Sequence, residues 1–398
     1  MRTINNPNNK ASTILAFCLI PITGFALDIY IPSLPDMSAK LNASPAAIQF
    51  TIAIFLGAYG VGQLLIGGVV DSFGRYIPNL IGLAGFIIAS LVIATSENLL
   101  LIYFMRAVQG VSSAAILVSK RAYFFDLFSG AKLKHYTSLF SVFWSAAPII
   151  APFIGGFLQT QFGWHANFYF LACLGSLFLL LEIILSGETI KTKAPFRIKI
   201  IGAAYKKMIL TRDFTAGFLI LGLSYGILMV YNMSSPFLIE KLMHFAPTVT
   251  GRCSMISGIA FLAGSMLSNI LIAKRFLKKM LIAVIIQLIL TGCFILITFN
   301  VHNLYSLIGY VIFVSSCAGF ILNGTLAYCL TRFSQYGGTL SGLLGGAYII
   351  FTSAFSFIIV KTIKIDTQSI LGEGCEVLIS VVLILLLMTK WNDLDRRD

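Results

Sequence analysis

The sequence predicts an all-α integral membrane protein of twelve transmembrane helices, arranged as two six-helix halves. Three observations predict this fold class: an apolar composition, long uninterrupted apolar runs, and a basic segment that divides the runs six and six. Of the 398 residues, 58% are hydrophobic and 11% are charged, whereas soluble domains have about 25% charged residues. So few charges cannot cover a surface that faces water on all sides, and a soluble protein is excluded.

The apolar runs have the length of membrane-spanning helices rather than of barrel strands. A helix of about 20 apolar residues crosses a bilayer, whereas a barrel strand shows about ten residues of alternating hydropathy. We predict spans at 11–34, 46–70, 77–95, 99–119, 136–158, 164–186, 214–236, 250–273, 280–299, 303–330, 338–360 and 370–390. The chain therefore divides into an N-terminal bundle (1–186), a basic linker (187–213) and a C-terminal bundle (214–398).

The distribution of Lys and Arg predicts the orientation in the membrane. With the N-terminus in the cytoplasm, 22 of the 28 basic residues fall on the cytoplasmic side and one falls inside a span. The five on the outer side are Lys40, Lys241, Arg252, Lys361 and Lys364. Cytoplasmic segments are enriched in Lys and Arg, so both termini are predicted to be cytoplasmic, in a multi-pass protein of the bacterial inner membrane.

The same asymmetry explains the formal net charge of +13 without a nucleic-acid partner. The seven cysteines are scattered through the apolar runs, without a C-x-x-C pair, and are interpreted as small apolar helix residues. We predict no metal and no cofactor. The expected partners are the lipid bilayer, a small-molecule substrate and protons, and the expected oligomeric state is a monomer.

Two of the fifteen acidic residues fall well inside predicted spans. Asp28 lies in the first span, before Pro32 and Pro35, which are expected to mark the outer end of that helix. Burial disfavours an ionised carboxylate unless a cation opposes it, so Asp28 can take up and release a proton as its surroundings change. A solvated position at the outer rim is the alternative. Glu182 lies about one turn from the cytoplasmic end of the sixth span, where it is expected to reach the membrane interface, with a buried role as the alternative.

Arg106 is the one basic residue predicted to lie well inside a span. A guanidinium does not deprotonate in a protein, so it requires an ion pair, water or an anionic ligand. Asp28 is a possible structural partner. Two functions remain open for Arg106: it binds an anionic substrate, or it tunes the protonation of Asp28.

The turn after the second span combines small and charged residues, at Gly67, Asp71, Gly74 and Arg75. Glycine allows close helix approach, Asp71 suits a helix N-terminus, and Arg75 can bridge to a carboxylate. This pattern predicts a latch between helices on the cytoplasmic side, with an ordinary polar turn as the alternative.

The fifth span contains two prolines and two adjacent glycines, Pro148, Pro152, Gly155 and Gly156. Proline bends a helix and glycine removes the side chain at a contact, which gives a smooth face for close packing. We predict that this face packs against a helix that moves during function.

Together these motifs resemble the major facilitator superfamily, specifically its twelve-helix drug:proton antiporters of the Bcr/CflA type. The G-x-L-x-D-R-x-G-R-K loop of that family is matched at Gly67, Val69, Asp71, Gly74 and Arg75, and its R-x-x-Q-G element is matched at Arg106, Gln109 and Gly110. Its span-five antiporter motif is matched at Ala147–Gly156, and its D-x-Y-x-P-S-L-P sequence is matched at Asp28–Pro35. The match covers the whole chain and is most specific in the first half.

The resemblance implies a role for each matched residue. Asp28 and Arg106 would line a central cavity in which Asp28 exchanges protons for substrate. Asp71 and Arg75 would form the latch, and the Pro148–Gly156 segment would form a helix interface. Ser72 and Tyr76 stand where the loop motif prefers basic residues, which indicates a specialised member of the family.

The predicted function is proton-coupled export of small organic molecules or drugs by alternating access. Candidates for lining the cavity are Tyr30, Tyr59, Phe143, Tyr225, Tyr231 and Asn323. The alternative is a transporter of the same fold that moves a siderophore or another metabolite in either direction, for which Arg106 would suit an anionic ligand. The fold alone does not decide between these substrates.

An enzyme is a third reading, because the segment 222–226 matches the hydrolase pattern G-x-S-x-G around Ser224. That chemistry needs a histidine at similar depth. The four histidines, His135, His165, His244 and His302, all fall in loops or at predicted span ends. We therefore predict that the protein is not an enzyme.

Overall fold

The computed structural model describes residues 10–190, 198–272, 274–299, 302–333 and 337–391. These residues form twelve long helical segments, which we number span 1 to span 12 in chain order, and one helix within the linker. The first six are Lys10–Lys40, Pro45–Phe73, Tyr76–Thr95, Leu99–Leu127, Gly130–Phe162 and His165–Leu185. The last six are Arg212–Leu242, Pro247–Ile270, Phe276–Thr298, Leu304–Arg332, Gly337–Thr362 and Gln368–Met388.

The length and hydropathy of these helices confirm the predicted fold class. Within the described residues, eleven helices are long and apolar enough to cross a membrane. Span 5 is the twelfth, a continuous helix of 33 residues that contains Pro148 and Pro152. Several spans extend beyond their predicted ends. Span 4 has the longest extension at one end and continues to Leu127, because no glycine or proline interrupts it after Gly110.

Two spans are not regular α-helices throughout. Span 1 consists of Lys10–Leu19, Ile22–Asp28, a 3₁₀ turn at Ile31–Ser33 and Leu34–Lys40. The prediction that Pro32 and Pro35 end this segment is wrong, since both lie in the first turn of a new helical piece, where proline is tolerated. The corresponding end of span 7 is a π-helix, Phe237–Leu242.

The linker contains a helix that the sequence pattern did not predict, Ile198–Ile209. This linker helix contacts spans 7 and 11. We call the end of the molecule that carries residues 74–75, 128–129 and 186–190 the linker face, and the end that carries residues 41–44, 96–98 and 163–164 the opposite face.

Most spans pack most closely with others of their own half, whereas spans 5 and 11 make their most extensive contacts across two seams that join the halves. Spans 2 and 11 form one seam and spans 5 and 8 form the other. Near the opposite face, spans 1 and 7 also meet, and the side-chain amide of Gln49 donates to the carbonyl of Met233 at 2.8 Å. The halves are thus in contact toward the opposite face.

Candidate functional site

Asp28 lies at the end of the Ile22–Asp28 helix, at the break in the middle of span 1. It is 1% exposed, and its Oδ1 is buried without a hydrogen-bond partner. Among the described residues no cation pairs with it within 4.0 Å, so a charged carboxylate is costly in this position. The rim position that was the alternative for Asp28 is wrong.

Asp28 faces a small central cavity between the two halves. Residues of both halves line it, among them Thr23, Tyr59 and Pro148 from the N-terminal half and Tyr225 and Ile349 from the C-terminal half. Its volume is about 10 Å³, which is close to the minimum for one water molecule. A substrate therefore cannot enter this site until the halves separate.

Arg106 is fully buried in span 4 and connects it to spans 1 and 2. Its Nη1 donates to the carbonyl of Ala26 at 3.0 Å and to Oε1 of Gln109 at 2.6 Å, and its Nε donates to the carbonyl of Thr51 at 3.3 Å. The guanidinium carbon lies 4.6 Å from the ring centroid of Tyr30 and 4.4 Å from that of Phe55. These contacts fit a residue that holds three helices together through carbonyl groups and aromatic faces.

Arg106 and Asp28 do not form the ion pair that the sequence suggested as possible. The ion pairs within 4.0 Å among the described residues involve other groups. The donors of Arg106 are directed to the carbonyls of Ala26 and Thr51 and to Gln109 rather than to the carboxylate of Asp28. Its Nη2 is buried without a hydrogen-bond partner among the described residues.

Two of the six candidate lining residues reach the central cavity, Tyr59 and Tyr225. Tyr225 also packs near Trp144, with ring centroids 6.0 Å apart, so aromatic side chains of both halves meet there. The other four lie elsewhere. Tyr30 contacts Thr51 and Arg106, Phe143 stacks on Phe17, Tyr231 is fully buried in span 7, and Asn323 donates to Ser265 and Asn269.

A larger cavity of about 240 Å³ opens toward the linker face, which we call the linker-side cavity. Gln63, Arg75 and Arg121 line it from the N-terminal half, and Gly342 lines it from the C-terminal half. Gly67 also lines it, and no atom lies within 4 Å of the position that a Cβ would take there. The expected close helix approach at Gly67 is therefore wrong.

Sequence reasoning missed Arg121 because it ended span 4 at residue 119. Arg121 lies inside the helix, and its Nη1 donates to Oε1 of Gln63 at 3.3 Å. The uninterrupted run from Gly110 to Leu127 was the signal that could have revealed it.

Arg75 forms a network of charged groups at the linker face. It contacts Asp71 at 2.9 Å through Nη1 and Asp126 at 2.9 Å through Nε, and its Nη2 donates to Asp126 at 3.3 Å. Asp71 lies in the last turn of span 2 rather than at a helix N-terminus as expected. The network joins spans 2 and 4 and belongs wholly to the N-terminal half.

Glu188, which follows span 6, completes this network. Its carboxylate accepts from the backbone N–H groups of Arg75 at 2.9 Å and Tyr76 at 3.3 Å, which begin span 3. Gly74 adopts φ +104° directly before them, a conformation that favours glycine. The turn thus brings spans 2, 3, 4 and 6 together around Arg75.

Glu182 lies in a buried ion pair rather than at the membrane interface. Its Oε1 contacts Nζ of Lys120 at 2.6 Å, and the two side chains are 0% and 5% exposed. The expectation for Glu182 was wrong because Lys120 of the longer span 4 supplies the missing cation. Because Lys120 also lies inside the longer span 4, the prediction that Arg106 is the one basic residue well inside a span is wrong.

The proline and glycine residues of span 5 lie at close helix contacts, as the pattern predicted for a helix interface. A Cβ at Gly156 would lie 2.7 Å from the carbonyl oxygen of Pro247 in span 8, and one at Gly258 would lie 2.7 Å from that of Pro148. Gly155 instead approaches the backbone of Ile29 in span 1. Span 5 therefore connects the half that contains Asp28 to the opposite half.

Comparison with known protein families matches residues 16–357 to the model of the Major Facilitator Superfamily. The chain belongs to the major facilitator superfamily. The matched segment begins in span 1 and ends in span 11, so it includes both halves and the linker. The family assignment and the resemblance to Bcr/CflA-type proteins that the motifs indicated are both confirmed.

Relatives of this chain are bacterial proteins named for transport or for drug resistance. The MFS-type transporter YdgK of Bacillus subtilis is 30% identical over 354 residues, which cover 86% of this chain and 87% of YdgK. The bicyclomycin resistance protein homolog of Haemophilus influenzae is 28% identical over 399 residues, covering 96% and 98% of the two chains. The multidrug resistance protein MdtL of Shewanella oneidensis is 25% identical, covering 90% of each chain.

Solved structures of superfamily transporters share the fold. The nucleoside transporter NupG superposes with a TM-score of 0.75 at 16% identity, covering 96% of this chain and 99% of NupG. A D-xylose–proton symporter superposes with a TM-score of 0.70 at 15% identity, covering 97% and 98%. At these identities the likeness concerns the fold alone, and it supports the twelve-span, two-half architecture.

Proposed function

We propose that this protein exports small organic molecules, including drugs, across the bacterial inner membrane in exchange for protons. Asp28 carries the proton, and the two halves alternate in exposing the central cavity to each side of the membrane. Both termini lie in the cytoplasm under this proposal, because the basic loops and the linker share one face. The linker face is then cytoplasmic and the opposite face is periplasmic.

The observation that carries the proposal is the isolation of Asp28 at the boundary between the halves. Among the described residues, no cation pairs with its carboxyl group within 4.0 Å and no group hydrogen-bonds to Oδ1, and residues of both halves line the cavity beside it. Closing the halves removes water and favours the protonated form, while opening them admits water and favours release of the proton. Movement of the halves is thereby coupled to binding and release of a proton.

The described conformation supports alternating access around this carboxyl group. Toward the periplasmic face, close contacts such as that between Gly156 and the backbone of Pro247 bring the halves together. Toward the cytoplasmic face, the linker-side cavity leaves space beside Arg121 and Gln63. A substrate from the cytoplasm would enter there and reach Asp28 once spans 2 and 11 part.

Arg106 acts in this proposal as a positioning residue for span 1. It binds the carbonyl of Ala26, two residues before Asp28, and the carbonyl of Thr51 in span 2. The sequence left substrate binding and tuning of Asp28 open. These contacts favour an indirect effect, in which Arg106 holds the part of span 1 that carries Asp28 in place.

The names of the relatives support export of drugs rather than of a siderophore. Proteins similar to this chain over nine-tenths of its length are named for bicyclomycin resistance and multidrug resistance. The aromatic residues Tyr59, Trp144 and Tyr225 around the central cavity would suit flat or apolar compounds.

The test is transport by purified protein in liposomes with an imposed proton gradient. Uptake of a lipophilic dye and of bicyclomycin into inside-out vesicles is compared for the wild type, Asp28→Asn and Glu97→Gln. Glu97 is exposed at the end of span 3 and serves as the matched control. We expect Asp28→Asn to lose gradient-driven accumulation at least about tenfold while Glu97→Gln retains it.

A second measurement separates a proton-coupling role from loss of the fold. Asn resembles the neutral form of Asp28, so Asp28→Asn should still exchange substrate for substrate across the membrane without a gradient. Gradient-driven accumulation by Asp28→Asn equal to the wild type would contradict the proposal. Failure of every compound tested with the wild-type protein would contradict the substrate class.

A further inference from the structure

The opposite face carries a cavity lined by both halves, which we call the lysine cavity. Its volume is about 450 Å³. Ser44 and Gln49 line it from the start of span 2. Lys241 lines it from the end of span 7, and Lys361 and Lys364 line it from the end of span 11 and the loop that follows. Three ammonium groups from two elements thus surround one cavity.

Within the described part of the protein the positive charge of this cavity is compensated only in part, by Asp366 in the lining and by Glu240 next to Lys241. None of the three lysines has an ion pair within 4.0 Å, whereas Lys40 nearby on the same face pairs with Asp36 at 3.4 Å. Asp366 is the one acidic residue in the described lining. Outer loops of inner-membrane proteins are poor in Lys and Arg, yet three of the five predicted outer cations meet here.

The walls of the lysine cavity are apolar below the charged side chains. Phe237, Leu238 and Val360 line it and are each less than one-tenth exposed. The ammonium group of Lys241 lies 5.6 Å from the ring centroid of Phe237, so this side chain extends along the apolar wall. The cavity therefore suits a ligand with a negative group beside an apolar body.

We propose that the lysine cavity binds the headgroup of an anionic glycerophospholipid, such as phosphatidylglycerol, together with the first part of its acyl chains. The cavity lies where spans 2, 7 and 11 end, which is the depth of lipid headgroups. A phosphodiester supplies the negative charge that the lysines lack, and the acyl carbons fill the apolar wall. The partial positive charge at the start of span 2 adds to this attraction.

A lipid bound in the lysine cavity also affects which conformation of the protein is favoured. Because spans 2, 7 and 11 come from both halves, a lipid bound among them contacts both. Opening of the opposite face would separate these walls, so the bound lipid favours the closed arrangement described here. The inference concerns a site apart from Asp28 and does not depend on the transported substrate.

The experiment is native mass spectrometry of the purified protein in detergent with equal amounts of phosphatidylglycerol and phosphatidylethanolamine. We expect the wild type to retain phosphatidylglycerol preferentially. The variant Lys241→Gln/Lys361→Gln should bind it roughly 25-fold more weakly, because each lysine near an anionic lipid contributes about fivefold. The control Lys40→Gln/Arg252→Gln removes two other cations of this face and should bind as the wild type does.

Three outcomes would overturn the proposal. Equal loss in the two double variants would mean that only the general charge of this face attracts lipid. Displacement of the lipid by free glycerol phosphate as effectively as by added phosphatidylglycerol would mean that the site binds small anions. Loss of binding in Lys241→Arg/Lys361→Arg, which keeps both charges, would exclude a charge-based site. Melting temperatures equal to that of the wild type check that the variants are folded.

Discussion

The two halves of the protein differ in the charges that they bury. Spans 1, 4 and 6 have 31, 29 and 21 residues, and their counterparts 7, 10 and 12 have the same lengths, so they can be compared end to end. In that register, four buried ionisable residues of the N-terminal half correspond to uncharged residues: Asp28 to Val230, Arg106 to Val311, Lys120 to Thr325 and Glu182 to Leu385.

The two halves therefore differ in what they contribute to the molecule, although related halves could have contributed the same groups. Burying a charge away from water is costly, and residues that do so inside a membrane are usually functional. At these compared positions the buried ionisable residues lie in the N-terminal half, whereas the C-terminal half buries Asp213 in an ion pair with Arg332. The C-terminal half supplies neutral surfaces to the central cavity, such as Tyr225 and Ile349.

The two halves also differ in the kind of contact that they form at the linker face. In the N-terminal half, Arg75 contacts Asp71 and Asp126, and Asp71 is 57% exposed. In the C-terminal half, the rings of Phe276, Tyr328 and Trp391 pack together with centroids 4.6 to 5.2 Å apart, beside a single ion pair between Arg332 and Asp213. Charged contacts can be replaced by contacts with water, whereas ring packing depends on apolar burial.

The largest effect is expected when the buried ion pair of Lys120 and Glu182 is replaced by the residue types found at the corresponding positions of the C-terminal half, threonine and leucine. Lys120→Thr alone leaves Glu182 buried without a cation, and we expect the free energy of unfolding to fall by about 3–5 kcal/mol. Lys120→Thr/Glu182→Leu removes both charges and should recover most of that loss. The measurement is SDS-induced unfolding in mixed micelles. A double variant less stable than the single variant would show that the pair itself stabilises the half.

A smaller effect is expected for Arg106→Lys, which keeps the charge in span 4. A lysine cannot reach the carbonyls of Ala26 and Thr51 together with Gln109, since it lacks the planar fork of arginine. We expect a loss of about 1–3 kcal/mol in unfolding free energy, together with slower gradient-driven transport. Unchanged substrate affinity in a direct binding measurement would support positioning. A strong loss of affinity for anionic compounds alone would support substrate binding instead.

Much of the fold could be predicted from the sequence because the membrane imposes one simple requirement. Each crossing needs a run of apolar residues, and the central segment 187–213 interrupts those runs once. Asp28 and Arg106 stood out for the same reason, as charges within apolar segments. The proline and glycine pattern of span 5 similarly indicated close packing before its partner in span 8 was known.

The contacts between helices could not be predicted, because they depend on neighbours that are distant in sequence. Glu182 and Lys120 are 62 positions apart, so neither residue alone indicates that the other neutralises it. The candidate aromatic residues show the same limit. Tyr30 and Tyr59 both follow the apolar pattern, yet only the direction of each side chain places Tyr59 at the cavity and Tyr30 against Arg106.

The smallest effect is expected at the linker face. There the stability contributed by the charged network of the N-terminal half and by the aromatic cluster of the C-terminal half should respond differently to salt. Arg75→Gln removes contacts to Asp71 and Asp126 at a partly hydrated site, and we expect it to lower the unfolding free energy by about 1 kcal/mol at low salt. Trp391→Leu removes ring contacts of similar size, about 0.5–1.5 kcal/mol. The two variants should therefore look alike in dilute buffer.

Raising the salt concentration to 1 M should separate them. The screening length then falls to about 3 Å, which weakens mainly the exposed pair with Asp71, so the deficit of Arg75→Gln should become smaller. The mostly buried pair with Asp126 is screened less, so part of the deficit should remain. Trp391→Leu should keep its full deficit, because ring packing does not depend on ionic strength. Equal salt responses in the two variants would mean that Arg75 acts mainly through packing, and that both halves hold their linker face by the same physical means.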